Sequence, residues 1–247
     1  MKKITQYNEI SPLIMRYFKR GVLTNNFLAK EDYISEIEEG RLFCKTGDDF
    51  LNIYVLRDGF YRLYFHALNE EVVFPSINGT IVCDCVGYEE FFARNGFKKV
   101  LERIKLECAN YEVQIDTDAF TASVSDADKV YEIMQSSFNL FTGYLPTFTQ
   151  IKNECENGLI YKTEDCEKIT GVLRCAKTNS SVQIKHLCVS QEFRGCGIGR
   201  KLCSIALGNG KKCTVWTGKE NKTAIGLYES CGFTQSGLES IVYRKDV

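Results

Sequence analysis

Residues 182–200 read V-Q-I-K-H-L-C-V-S-Q-E-F-R-G-C-G-I-G-R. The first part, Val182 to Val189, has the β-branched and apolar content of a strand. A short polar turn leads to Arg194, and glycine then recurs at 195, 197 and 199. Beyond it Ile198, Leu202, Ile205 and Ala206 share one helical face. Strand, glycine-rich turn and helix follow one another directly. Glycine allows close backbone approach and left-handed dihedrals. The free amides and dipole of a helix N-terminus favour an anion, and Arg194 and Arg200 add positive charge beside them. The stretch reads as a site for phosphate or pyrophosphate, against the simpler reading of a turn that binds nothing.

Two familiar phosphate loops do not fit. A P-loop needs G-x-x-x-x-G-K-[ST], and no such run occurs. A dinucleotide-binding turn needs G-x-G-x-x-G, whereas the spacing here is G-x-G-x-G. Glu220 does follow at about the right distance after a strand. The preceding strands, however, read as antiparallel hairpins, and the glycines begin several residues past the strand end.

Working outward, the pattern predicts a helix over Asp126–Phe138, with Val130, Ile133, Met134 and Phe138 on one face and Ser125 or Asp126 as N-cap. A second helix is expected near Thr147–Cys155. Strands are expected at Leu159–Lys162, Ile169–Ala176 and Val182–Val189, with K-T-N-S-S as a hairpin turn between the last two. After the glycine-opened helix come a strand at Lys212–Thr217 and a helix on which Ala224, Leu227, Tyr228 and Cys231 form one face. Strands around Phe233 and over Leu238–Arg244 close the chain.

The first half reads as a shorter version. Helices are expected within Ser11–Phe18 and Lys30–Glu38. Strands are expected near Leu42–Lys45, Phe50–Leu56 and Tyr61–Ala67, with a hairpin turn at Arg57-Asp58-Gly59. A strand at Thr80–Val86 and a helix at Glu89–Arg94 follow. F-F-A-R-N-G-F at 91–97 matches L-Y-E-S-C-G-F at 227–233, and each precedes a strand-like run, L-E-R-I-K-L from Leu101 and L-E-S-I-V-Y from Leu238. An internal duplication accounts for both. No Pro/Ser-rich linker separates the halves, and a boundary is expected near Val113–Ser125.

The composition excludes several classes. The chain has 247 residues, 44% of them apolar, enough for one large domain or two small ones. Lys and Arg total 31 against 32 Asp and Glu, without blocks of one sign, so no nucleic-acid partner is expected. No apolar run reaches the length of a membrane span, and polar residues break every run near the N-terminus that could serve a secretory signal. The twelve cysteines are therefore expected as reduced, mostly buried thiols in a cytoplasmic protein. There is no C-x-x-C pair, only Cys83 and Cys85 on one strand-like run. Neither His66 nor His186 has zinc-ligand spacing to a cysteine, so no metal site is expected.

With these residues in view a resemblance is specific. Arg194–Gly199 resembles the R/Q-x-x-G-x-G/A signature of the GNAT acyltransferase superfamily. Asn221, Ala224, Leu227, Tyr228, Gly232 and Phe233 match its N-x-x-A-x-x-L-Y-x-x-x-G-F pattern at the expected distance. The resemblance is good over residues 120–247 and weak over 1–115. It implies an α+β, three-layer architecture of two GNAT-like lobes, each a mainly antiparallel mixed sheet flanked by helices. Residues 1–115 would be a degenerate lobe without the cofactor motif, and 120–247 a catalytic lobe.

The resemblance also implies roles. The backbone of Leu187, Cys188 and Val189 would meet the pantetheine arm of acetyl-CoA. The pyrophosphate would lie on the loop formed by Arg194, Gly195, Cys196, Gly197, Ile198, Gly199 and Arg200. Asn221 would contact the cofactor arm, and Tyr228 would protonate the leaving thiolate after direct attack by a primary amine. Many family members place a glutamate base at the position of Gln183, which cannot ionise; Lys185 and His186 lie nearby, and a water relay or a group from the first half would serve as well. An acyl-cysteine route through Cys188 or Cys196 is a minor alternative, and a coenzyme A-binding sensor without turnover is the alternative to an enzyme. In the first half Phe92 stands where Tyr228 stands, and Glu70 and Glu71 lie where a phosphate would need amides. That half would shape the acceptor cleft. The acceptor amine and the oligomeric state are not specified by the sequence.

Overall fold

Asp58 and Gly59 both adopt positive φ, 41° and 84°, the pair of left-handed residues that a two-residue hairpin needs. They join strands Phe50–Arg57 and Phe60–Ala67, which pair in register from Arg57↔Phe60 to Phe50↔Ala67. The computed structural model describes residues 1–18, 22–109, 120–208 and 212–247. They divide into two units: Met1–Glu102 with Ser240–Val247, and Arg103–Glu239. The boundary expected near Val113–Ser125 lies in large part outside the described residues.

Unit 1 contains β1 (Lys2–Lys3), α1 (Tyr7–Phe18), β2 (Leu23–Thr24), α2 (Lys30–Glu38), β3 (Leu42–Thr46), β4 (Phe50–Arg57), β5 (Phe60–Ala67), β6 (Thr80–Cys85), α3 (Glu89–Arg94) and the start of β7 (Lys98–Cys108). Its sheet runs β1-β3-β4-β5-β6. Only β5–β6 is parallel, and the pair is short, Phe60↔Thr80 to Arg62↔Val82. The end of the chain completes this unit, with Ile241–Lys245 antiparallel to β6. One face of the sheet buries Ile10, Tyr17 and Tyr33 of α1 and α2 against Leu42, Leu51 and Ile53. The other packs Phe91 and Phe92 of α3 with Phe65, Phe74 and Tyr243.

Unit 2 contains the rest of β7, then β8 (Phe120–Thr121), α4 (Ala127–Ser137), α5 (Phe148–Glu156), β9 (Ile160–Asp165), β10 (Lys168–Lys177), β11 (Ser181–Val189), α6 (Ile198–Leu207), β12 (Lys212–Gly218), α7 (Lys222–Ser230) and the start of β13 (Thr234–Lys245). Its strand order is β7-β12-β11-β10-β9-β8, with β11–β12 parallel and the others antiparallel. On one face Val130, Ile133, Met134 and Ile151 of α4 and α5 cover Ile160, Val172 and Cys188. On the other, Leu202, Cys203 and Ala206 of α6 and Tyr228 of α7 cover Leu173, Ile184 and Val215. Each unit is thus a mixed sheet between two helical layers, the α+β arrangement the sequence predicts.

Local chemistry sets the element ends. Thr147 caps α5, its Oγ1 accepting from Gln150 N at 3.3 Å while Gln150 Oε1 accepts from Thr147 N at 2.9 Å. Asp126 is the N-cap residue of α4, one of the two positions expected, though its side chain makes no cap to that helix. A 3-10 turn, Val124–Asp126, precedes α4, and Ser123 N–H and O–H both donate to the Asp126 carboxylate at 2.7 Å. The repeat read from the sequence is geometric as well. Phe97 N donates to Phe92 O at 2.9 Å and Phe233 N to Tyr228 O at 3.0 Å, with Gly96 and Gly232 at φ 78° and 86°. Both helices end in the same glycine-terminated cap. No helix among the described residues is long and apolar enough to cross a membrane.

Candidate active site

The strand β11 carries a bulge. Against β10 the partners run Arg174↔His186 and then Cys175↔Ile184, so Lys185 is an extra residue. The bulge turns the strand's side chains over. Ile184 packs with α6 and α7, whereas Cys188, four residues on, packs with α4 and α5. On the other edge, the parallel pairing with β12 spans Ser181↔Lys212 to Ile184↔Val215. Leu187 to Val189 continue β11 past that pairing.

Beyond Val189 the chain turns through a 3-10 segment, Gln191–Phe193. Arg194 Nε donates back to the Val189 carbonyl at 3.2 Å, which holds the guanidinium at the loop base. Gly195 and Gly197 take φ 83° and 80°, and a Cβ on either would meet nothing within 4 Å, so the loop is open to solvent. Gly197 is the N-cap of α6 and offers no side-chain cap; the first turn has no acidic residue. The first amides of α6 therefore point outward uncapped, with Arg200 among them and the helix dipole behind them. Two glycines bring this helix close to its neighbours. A Cβ on Gly171 of β10 would lie 2.8 Å from Ile198 Cγ2 and 2.9 Å from Leu202 Cδ1. A Cβ on Gly199 would lie 3.1 Å from Leu227 Cδ2 of α7. Sequence reading missed Gly171; a glycine inside a strand pattern is the signal for such close approach.

Tyr228 lies on α7, 5% exposed, its ring 5.5 Å from that of Phe233. Burial, with the surrounding thiols Cys203, Cys175, Cys213 and Cys231, pushes its phenol pKa far above the ordinary value, so it stays a proton donor. Asn221 is the N-cap of α7, its Oδ1 accepting from Ala224 N at 3.1 Å. Leu187, Val189 and Ile198 pack against the α6–α7 core. The Cys188 thiol is buried and pushed up to about 12, chiefly by burial, which removes it as a nucleophile near neutral pH. Cys196 is exposed in the glycine loop.

His186 does not have the properties of a base. Its Nε2 lies 2.7 Å from the Gly143 carbonyl, which can only accept, so Nε2 carries the proton. Burial lowers its pKa to about 4. Gln183 is half-buried on β11, between Ala176 and Thr214.

Among its described residues unit 1 has no counterpart of this cradle. Residues 68–79 connect β5 to β6 without a helix, where in unit 2 α6 follows β11. The opening between β5 and β6 is filled from within. Asn25 Nδ2 donates to Leu63 O at 3.0 Å and Asp84 O at 2.9 Å, and Asn25 Oδ1 accepts from Phe65 N at 2.8 Å. Next to it β2 pairs with Ala67 and His66 of β5. Glu70 and Glu71 are exposed, with Arg94 donating to Glu70 O at 2.6 Å and lying 3.3 Å from the Glu71 carboxylate.

The sequence profile of the acetyltransferase (GNAT) domain matches residues 156–235, the span from the end of α5 to the start of β13. Unit 2 carries a GNAT domain. No curated protein matches the chain by sequence. Solved structures share its fold over nearly its whole length. A GNAT-family acetyltransferase from Colwellia psychrerythraea is 15% identical, with 100% of this chain and 99% of that one covered at a TM-score of 0.59. A GCN5-related N-acetyltransferase from Sphaerobacter thermophilus is 14% identical over 89% and 86% of the two chains, at 0.58. A tandem GNAT protein from the clavulanic acid biosynthesis pathway is 11% identical over 88% and 87%, also at 0.58. The GNAT domain supports acyltransferase activity, and its profile spans both the glycine loop and Tyr228.

Proposed function

We propose that unit 2 transfers an acetyl group from acetyl-CoA to a primary amine by direct attack. The observation that carries the reading is the uncapped amide row of α6, which follows the stretch of β11, Leu187 to Val189, that runs on past its pairing with β12. The amides from Gly195 to Arg200, with Arg194, would take the pyrophosphate. The backbone of Leu187 to Val189 would hydrogen-bond the pantetheine amides as an added strand does. Acetyl-CoA, when bound there, supplies an acyl thioester. Tyr228 holds its proton in a buried setting and would deliver it to the departing thiolate. Asn221, with Oδ1 committed to its cap, would offer its Nδ2 to the cofactor arm. The amine proton would leave through water, since Gln183 cannot accept it and His186 is too weak a base at pKa about 4.

Unit 1, residues 1–115 in the sequence reading, would be a degenerate lobe whose cofactor opening Asn25 has closed. The free thiols, buried except at Cys166 and Cys196, fit a reducing compartment such as the cytoplasm. A coenzyme A-binding module without turnover is the second reading, favoured by the missing ionisable group at Gln183. Release of free coenzyme A thiol from acetyl-CoA, measured with and without a broad set of amines, separates the two. Amine-dependent release supports the enzyme; saturable binding with no release for any amine supports the module.

A further inference from the structure

We infer that His186 and Arg103 are positioning residues for the acceptor amine: together they fix Thr142, Gly143 and Tyr144, the tip of the loop between α4 and α5, as one wall of the acceptor site. The inference rests on the acyl-transfer reading above. Residues 138–147 join α4 to α5, and the tip is gripped twice from the sheet. His186 of β11 donates from Nε2 to the Gly143 carbonyl at 2.7 Å. Arg103 of β7 donates to the Thr142 carbonyl, and its guanidinium lies 5.0 Å from the Tyr144 ring centroid. The strand order is β7-β12-β11, so the two grips come from either side of β12 and the tip lies across that strand. Both reach the face covered by α4 and α5. Cys188, two residues past His186, packs there, and Ile104, next to Arg103, is buried on the opposite face. Gly218, the strand partner of Arg103, adds no side chain to that face.

The tip is built for one conformation. Asn139 Oδ1 accepts from Phe141 N at 3.0 Å and Thr142 N at 3.2 Å, and Asn139 O accepts from Gly143 N at 2.7 Å. A Cβ on Gly143 would lie 2.6 Å from Asn139 O, so only glycine fits there. Tyr144 takes φ 52°, a left-handed conformation that is strained for a tyrosine and persists where its surroundings hold it. The His186 ring is committed to this contact. It lies edge-on to Phe138 at 4.9 Å, and its Nδ1 is buried without a partner among the described residues. A leucine would fill such a place without leaving a nitrogen unpaired. His186 also directly precedes Leu187, where the pantetheine arm would begin to lie, so the grip and the thioester share one stretch of strand. An amine that approaches the thioester from the face of α4 and α5 meets the tip, and a displaced wall misdirects its attack.

The test uses the full chain, acetyl-CoA and thiol release with glycine, L-lysine, ethanolamine, tyramine, spermidine and trialanine, scored on the amine that the wild type uses best. His186→Leu and Arg103→Met are expected to lower kcat/KM for that amine roughly tenfold, mostly through KM. Acetyl-CoA affinity, read by calorimetry, is expected to stay within about twofold. His186→Gln keeps an N–H donor toward Gly143 and is expected to recover most of the lost kcat/KM, which a merely space-filling role would not allow. Tyr144→Gly removes the ring and relieves the positive φ, so it is expected to raise the amine KM with Tm little changed; this variant decides the matter if His186→Leu fails to fold. Unchanged amine KM in the folded variants, or an equal loss of acetyl-CoA affinity, would overturn the inference and leave the acyltransferase reading intact. Absence of amine-dependent release by the wild type would overturn the reading and the inference together.

Discussion

Phe92 and Tyr228 hold corresponding places in two copies of one structural unit. Each stands five residues before the phenylalanine of a Gly-Phe pair. Each carbonyl accepts that phenylalanine's amide, at 2.9 and 3.0 Å, and each ring lies 5.5 Å from that phenylalanine's ring. The two side chains differ by one hydroxyl, in a place where both are buried. The pair separates packing from chemistry: the ring serves the fold in both units, and the hydroxyl is present only beside the cradle of α6.

Tyr228→Phe therefore keeps the fold, because unit 1 already accommodates a phenyl ring in that place. Loss of the proton donor is expected to lower kcat by about 10²–10⁴, with acetyl-CoA affinity nearly unchanged. Steady-state kinetics with calorimetry on the same preparation checks this. Undiminished turnover would reassign the proton donor.

Asn25→Ala removes a side chain that satisfies three buried backbone groups, Leu63 O, Asp84 O and Phe65 N. Unsatisfied buried groups cost about 1–3 kcal/mol apiece, and partial relaxation puts the expected loss near 3 kcal/mol. Urea unfolding measures it. The variant is still expected to bind one acetyl-CoA per chain, because unit 1 has no helix after β5 to hold a pyrophosphate. A second site appearing in the variant would show that Asn25 alone closes that unit.

Gly171→Ala tests how α6 is seated. The added methyl would meet Ile198 and Leu202 of α6 at under 3 Å, and overpacking of this kind costs about 1–3 kcal/mol. Because the contacts fall on the first turns of α6, acetyl-CoA affinity is expected to drop along with Tm. A variant of wild-type stability and affinity would show that the helix sits farther from β10.

Both histidines report on stability against pH. Burial lowers His66 and His186 from 6.5 to about 4. Between those values the unfolded chain binds more protons than the folded one, so stability is fully present above pH 6.5 and declines as pH falls toward 4. The expected loss by pH 5 is about 2 kcal/mol for each. Urea unfolding between pH 7 and 5 should show it, and the slope should flatten in the double variant His66→Asn, His186→Asn. An imidazole titrating near 6.5 by NMR would contradict the burial of that ring.

Much of this was legible in the sequence because it is local. The R-G-C-G-I-G run, the Asn221-to-Phe233 pattern and the Asp58-Gly59 turn are fixed by neighbours a few residues away. The bulge at Lys185 was not legible. Val182, Ile184, His186 and Cys188 keep an unbroken period of two, which alone would put Ile184 and Cys188 on one face. Asn25 was not legible either, since its partners lie about 40 and 60 residues along the chain. The turn at Cys166 and Glu167, with φ of 47° and 64°, lacks the glycine that marks such positions.

The most direct test is calorimetric titration of the full chain with acetyl-CoA, alongside a Gly197→Glu variant that sets a carboxylate among the α6 amides. The account predicts saturable binding of one acetyl-CoA per chain, abolished in the variant. No binding by the folded wild-type chain, or equal binding by the variant, would contradict the assignment of the cradle to coenzyme A.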